Sequence, residues 1–483
     1  MTLAGSLYAY SLYAASFTSN LKYTNVQTSI IAVIGDGGIY GVGPLTGALA
    51  DRLGPRPMSA IAAGFLALGY TLLSIGYDQG KSKVAQGQEP THYMVMAFAF
   101  FLAGVGSSCG YMAAFTALAK NFTRARGVAI GIPVSFFGLS AAILTLIART
   151  FFMVSPAPGT EGSETPPGLE LDTGRFLLFL AVAGGLANLV SAFGLRLVKP
   201  TADDQPVVHN SQQGQEQEHT ESSPLLPGSQ EEQQHQRRRP QPRPAISGMR
   251  FFKDRDVQMF SVVMLCIVGS GLMIINSIAS MITTVAAGEQ DGHFVPALFS
   301  SLLAFGGKKQ KSLASIRAMH VAVISIASYT GRVVASLGTD LAIAHHGSHR
   351  VDVLPIAAIT MALAQLVGMV APLDWLIVCS MLAGLAYGMF FGTAGTIVAE
   401  LWGQETCGQN WGWLSWSAAL GGLVFNVLFG TVMDAQEPSD PNGPDGVCRG
   451  HHCFRLALLV SCAACLGAAC LGLVIAVRQR KRV

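Results

Sequence analysis

The chain has 483 residues, of which 51% are hydrophobic and only 12% charged, with a mean hydropathy of +0.44; this excludes an ordinary water-soluble domain and points to a polytopic membrane protein. A formal net charge of +3, its basic residues scattered among apolar runs, excludes a nucleic-acid groove. The nine cysteines form no secreted disulfide framework, because Cys109, Cys266, Cys379, Cys462, Cys465 and Cys470 all lie inside apolar stretches and read as small packing residues.

A bilayer-spanning helix needs about 20 apolar residues, and runs of that kind fall at 1–19, 28–50, 57–77, 93–118, 127–149 and 176–197. The first opens at Met1 with no basic flank and so lacks the n-region of a signal peptide. After a polar stretch, further runs fall at 258–285, 314–337, 353–371, 374–398, 410–433 and 454–477. Two equal sets around one hydrophilic linker predict an all-α integral membrane protein: an N-terminal six-helix bundle over 1–197, a disordered linker over 198–257 and a C-terminal six-helix bundle over 258–483. The segment 295–311 fits badly, being about half a span long and ending in Lys308, Lys309 and Lys311; it reads as an interfacial helix or a gene-model artefact. Lys and Arg concentrate in loops 2–3, 4–5 and 6–7 and in the tail Arg478–Val483, which assigns that side, with both termini, to the cytosol.

The second span ends in "GALADRLGPRP", Gly47 to Pro57. Asp51 there sits at the C-terminal end of a helix, where the dipole disfavours an anion, so it needs a cation or the N-terminus of another helix; Arg52, Arg56 or a neighbouring helix would supply it. Gly47 permits close backbone approach. The pattern of Gly47, Asp51, Arg52, Gly54 and Arg56 resembles the loop 2–3 signature of the major facilitator superfamily, and "YAYSLYAASFTSNLKYT", "IGDGGIYGVGPLTG", "NFTRARGVAIGIPVSFFGLSAAI" and "SYTGRVVASLGTD" resemble its nodulin-like branch, which includes fungal vacuolar transporters similar to monocarboxylate transporters. The resemblance implies two six-helix bundles around a central cavity, rocker-switch alternation, and a conformational latch formed by the loop signature. A second-half echo falls on Gly331, Arg332, Ser336 and Asp340, placed in the turn after helix 8, with Ser336 where Gly is expected. Helix 4 carries no arginine and helix 5 no G-P-x-x-G-G ending, as drug–proton antiporters of the superfamily commonly do, so multidrug efflux ranks below uptake or organellar transport.

Within the spans, Asp36 in "IGDGGIYG" is the clearest coupling candidate, for a proton or a cation, because an intramembrane carboxylate is costly; the plainer reading is a carboxylate that cross-links a glycine-packed region. The resemblance implies that helices 1, 4, 7 and 10 line the cavity, which nominates Tyr8, Ser11, Tyr13, Ser107, Tyr111, Asn276 and Tyr387 as substrate contacts. Scarce buried positive charge argues against a strongly anionic substrate, unless Asp36 binds the coupling proton and a backbone helix terminus meets the anion. Arg149 and Glu400 lie at predicted helix ends, where snorkelling accounts for them. In the linker, Glu221, Leu225 and Leu226 of "ESSPLLP" match the acidic dileucine pattern that clathrin-adaptor complexes read on vacuolar cargo. "CRGHHC", Cys448 to Cys453, has metal-ligand residue types, but a local disulfide, or no role at all, fits its loop better, and the sequon at Asn121 falls on the cytosolic side. There is no G-x-x-x-x-G-K-[ST] loop, and no cofactor or metal is expected.

These features predict a secondary active transporter of a small polar organic solute, such as an organic acid or amino acid, in the vacuolar membrane, with the plasma membrane as the alternative site, acting as a monomer. The competing classes are a transport-dead sensor or scaffold of the same fold and, with no intramembrane catalytic cluster to support it, a membrane-embedded enzyme. With the linker on the cytosolic side, protease added to sealed organelles is expected to cut within 199–256; protection of that segment would overturn the orientation and the sorting motif together.

Overall fold

The computed structural model describes residues 3–122, 126–154, 170–198, 246–288, 313–436 and 449–481. Residues 199–245 of the linker, with its dileucine motif, the 295–311 segment and Cys448 lie outside them; residues 249–257, expected to belong to a disordered linker, are helical but for Asp254, and Asp256 is anchored by Arg478 at 2.8 Å.

The first span is a 3-10 turn, Leu3–Ala9, running into α1 (Tyr10–Leu21). The second is interrupted: α2 (Asn25–Asp36), a π-turn (Gly37–Gly41) and α3 (Gly43–Leu53). The remaining helices of the first set are α4 (Pro55–Ala85), α5 (Tyr93–Asn121), α6 (Arg126–Phe151) and α7 (Thr173–Gly194), with a two-stranded ribbon, β1 (Met153–Val154) against β2 (Glu170–Leu171), before α7. A short α8 (Met249–Lys253) leads into α9 (Arg255–Gly288), α10 (Leu313–His346), α11 (Val353–Val370), α12 (Leu376–Trp402), α13 (Cys407–Gln436) and α14 (His452–Arg480). Among the described residues 11 helices are long and apolar enough to cross a membrane, the first being Ile30–Leu53. Residues 3–21 miss that measure because they are split between a 3-10 turn and a 12-residue helix.

Punctuation in the sequence explains the ends. Thr24 and Gln27 form a reciprocal capping box on α2. Gly54 turns out of α3 at φ 81, directly before Pro55 opens α4, and Gly403 at φ 94 separates α12 from α13. The helices run past the apolar stretches that predict them. The largest difference is α10: Asp340 lies in its closing turns and Arg332 well inside it, because the helix continues to His346, and neither residue lies in a following turn. A charged residue ends an apolar run without ending a helix when the charge finds a partner.

Small residues let the helices close on one another. In the first bundle α4 packs on α5 and α7; in the second, α10 packs on α12, α9 on α13 and α11 on α14. A Cβ at Gly388 would run into the Ser328 backbone of α10, and one at Gly104 into the Gly35 carbonyl of α2. The outward faces carry exposed Val190 and Phe193 on α7, Leu420 and Leu423 on α13, and Leu459 and Leu473 on α14, the surface a lipid-facing bundle presents. The two bundles meet chiefly through α3 against α13 and α6 against α10 and α12. Gly388→Val is expected to cost about 1–3 kcal/mol through overpacking, whereas Gly64→Val, where a Cβ meets nothing within 4 Å, is expected to be neutral. Melting of the detergent-solubilised protein measures both, and equal melting temperatures for the two variants would refute close packing at Gly388.

Candidate transport site and bundle seam

At one end of the seam, a carboxylate of each bundle meets the first turn of a helix of the other. Asp51, closing α3, accepts the Gln409 N–H of α13 at 2.8 Å and pairs with Lys120 of α5 at 3.0 Å. Asp340, near the end of α10, accepts the Val128 N–H of α6 at 2.8 Å and pairs with Arg350 at 2.5 Å. Each anion leaves the negative end of its own helix dipole for the positive end of another. Arg350 is buried and also holds Glu400 at 2.7 Å and Thr339 at 3.1 Å.

The partner of Asp51 is therefore Lys120 with a helix N-terminus, and neither Arg52 nor Arg56. Arg52 is exposed, and Arg56 donates to the Leu195 carbonyl at 3.1 Å. Gly47 lies against the Gly408 carbonyl. Gly331 packs on α12 inside its own bundle. Across from Ser336 stands Gly131, so on this side the small residue that permits close approach belongs to α6; the Ser336 hydroxyl donates to the Gly392 carbonyl at 3.0 Å. Lys120, Arg350 and Glu400 were not singled out as latch members by the sequence; the only signal was their position at span ends.

Arg332 is no part of that end. It is buried at 2% exposure, its guanidinium over the Phe391 ring at 5.6 Å and its Nη1 donating to the Val134 carbonyl of α6 at 2.8 Å. Gly138 supplies the room, since a Cβ there would strike the guanidinium. Among the described residues Nε of Arg332 has no hydrogen-bond partner and no carboxylate pairs with the guanidinium. Around it stand aromatic residues of both bundles. Tyr8 and Tyr40 share a hydrogen bond of 2.9 Å, Tyr111 stacks toward Trp411 with ring centroids 6.4 Å apart, and Tyr387 tilts against Phe391 at 4.8 Å. Tyr8 and Tyr111 both pack edge-on against Phe137 at 5.3 Å, and Trp411 reaches Phe391 at 6.2 Å.

Asp36 is exposed at the last residue of α2 and makes no hydrogen bond or ion pair among the described residues, so it does not cross-link the glycine-packed region. Of the nominated contacts, Tyr8, Tyr111 and Tyr387 belong to this centre. Asn276 bonds Asn426 between α9 and α13 at 3.3 Å. Tyr13 packs inside the first bundle against Phe17, Phe100 and Phe176, and Ser107 spends its hydroxyl on the Ala4 carbonyl at 2.5 Å; both are corrections to the cavity assignment. The side chain of Ser11 lies outside the described residues. Outside the centre, Cys453 is disulfide-bonded, and among the described residues no cluster of His, Cys, Asp and Glu is arranged to hold a metal.

Two helical bundles meeting at a charged seam, with an arginine and tyrosines at its core, are the architecture of the major facilitator fold. Residues 1–217 match the family model described as Nodulin-like. Over its length the chain is similar to the probable transporter mch1 of Neurospora crassa, 26% identical over 95% of this chain and 84% of that one, and to the probable transporter MCH1 of Gibberella zeae, 25% identical over 93% and 83%. Among solved structures it resembles the E. coli fucose:proton symporter FucP, with a TM-score of 0.56 at 12% identity over 98% of this chain and 97% of that one, and the proton:xylose symporter XylE, with 0.53 at 13% over 99% and 94%. The chain thus shares the fold of these transporters and is similar to Nodulin-like proteins over residues 1–217, and the relatives and neighbours it resembles are transporters rather than enzymes.

Replacing Asp51 by Asn is expected to remove a charge-assisted contact of about 1.5–3 kcal/mol and so to shift the ratio of parted to closed seam by roughly ten- to a hundredfold. Labelling of a cysteine placed at Gln409 reads that ratio, and equal rates in both proteins at matched abundance would show that the contact does not hold the seam.

Proposed function

We propose that the protein moves a small organic anion together with a proton, by rocker-switch alternation, and that Arg332 receives the carboxylate. The observation that carries the reading is the buried Arg332 guanidinium with unused donors and no carboxylate partner among the described residues. An uncompensated buried charge is costly, and a planar fork of donors matches a carboxylate. This reverses the sequence-based argument from scarce buried positive charge, which counted Arg332 as a loop residue.

Asp36 supplies the proton site in this reading. Exposed, unpaired among the described residues and directly before the turn that holds Tyr40, which bonds Tyr8, it would neutralise the co-transported charge when protonated. The similarity to two proton symporters supports coupling to protons. The contacts of Asp51 and Asp340 would latch the cytosolic end during one half of the cycle. We assign the protein to the vacuolar membrane on the strength of Glu221, Leu225 and Leu226, with the clathrin-adaptor complex as the reader of that motif.

Proteoliposomes given a panel of small mono- and dicarboxylates under an imposed pH gradient test the reading. Arg332→Gln is expected to lower carboxylate uptake by about ten- to a hundredfold, the equivalent of one or two charge-assisted hydrogen bonds, with Arg332→Lys only partly active because it lacks the fork. Full uptake by Arg332→Gln would eliminate the anion site, and uptake indifferent to the pH gradient would eliminate proton coupling.

A further inference from the structure

The interruption of the second span has a local cause. Pro44, second residue of α3, has no N–H to offer the Tyr40 carbonyl, and its ring crowds that carbonyl. The next donor is also diverted: the Leu45 N–H goes to the Val42 carbonyl at 3.0 Å instead of to Gly41. The Tyr40 carbonyl keeps a short-range bond from the Val42 N–H. The Gly41 carbonyl receives no backbone N–H among the described residues. In lipid such groups must find donors elsewhere.

They find them in the other bundle. Ser415 Oγ of α13 donates to the Tyr40 carbonyl at 3.3 Å and to its own Gly412 carbonyl at 2.6 Å. Trp416 Nε1 donates to the Gly41 carbonyl at 2.9 Å. Consecutive residues of α13 thus serve consecutive carbonyls of the break. Nothing stands within 4 Å of a Cβ at Gly37 or Gly41, whereas Gly38 between them lies against the Phe101 carbonyl of α5, so the turn is open on one face and seated on the other.

We infer that Ser415 and Trp416 are positioning residues that hold the Pro44 break open and thereby fix the direction of the Asp36 carboxylate and the Tyr40 phenol. Asp36 immediately precedes the π-turn and Tyr40 lies within it. Removing one residue from that turn would rotate α2 by about 100° relative to α3, the angle per residue of an α-helix. The Asp51 carboxylate meets the first turn of the same α13, so parting of the seam there withdraws the donors as well. Opening of the seam and reorientation of Asp36 are then one event. The inference deepens the proton-site reading and rests on it for its role in transport, but not for its geometry.

A double-mutant cycle tests it without a substrate. In protein carrying Asp36→Cys and Cys470→Ser, the labelling rate of Cys at position 36 by a membrane-impermeant maleimide reports where that side chain points. Trp416→Phe keeps the ring and removes the donor, and is expected to change the rate about tenfold, the value of one hydrogen bond. With Pro44→Ala, which returns the missing N–H, the same substitution is expected to change it less than about twofold. An equal effect of Trp416→Phe with and without Pro44→Ala, or no effect in either, overturns the inference; Ser415→Ala serves in the same cycle should Trp416→Phe fold poorly. With Asp36 intact, Trp416→Phe is further expected to displace the pH profile of carboxylate uptake, whereas lower abundance at an unchanged profile marks a merely structural contact and counts against positioning. Absence of carboxylate uptake by the unmodified protein would remove the anion reading and leave the labelling cycle standing.

Discussion

A carboxylate at the C-terminal end of a helix is repelled by the dipole behind it, and it becomes favourable only where another helix begins. That interaction, made by Asp51 toward α13 and by Asp340 toward α6, sets how the bundles sit. With those two points fixed, α3 lies along α13 and α6 along α10, Gly47 and Gly131 admit the close approach, and Arg332 is carried to the centre of the seam. The halves repeat the device without repeating its residues. Lys120 comes from the end of α5, whereas Arg350 precedes α11 and is shared with Glu400.

Much of this was legible in the sequence. Apolar runs of bilayer length located the spans, because lipid leaves the backbone no other way to satisfy itself. The demand of Asp51 for a helix N-terminus followed from its place on its own helix. The identity of the donors did not follow, since Gln409 and Lys120 reach it only through the packing of three helices. Arg332 was misread because it shares a motif echo with Asp340: spacing alone put both in a turn, and only the extension of α10 to His346 separates a central guanidinium from a peripheral carboxylate. Tyr13 and Ser107 were drawn into the cavity by helix membership, although a helix offers only part of its circumference to the seam.

The break in the second span shows the same division. The run 28–50 reads as a single span in the sequence, and it is Pro44 within it that interrupts the helix. Which groups answer the released carbonyls is a property of the assembled seam, and it joins a local defect of one bundle to the side chains of the other.

Of the five tryptophans, Trp411 and Trp416 sit on the boundary between the bundles, one tilted against Phe115 at 5.7 Å and the other bonded to Gly41, and Trp413 lies 5.1 Å from Trp416. Trp402 is enclosed within the second bundle beside Phe251 and Phe260, and Trp375 is exposed. Indole emission depends on the polarity around the ring and on whether its N–H is engaged. Under the proposed rocker-switch cycle the indoles at the boundary would change surroundings as the halves part, while Trp402 and Trp375 would give a steady reference, an intrinsic optical gauge readable without any attached dye.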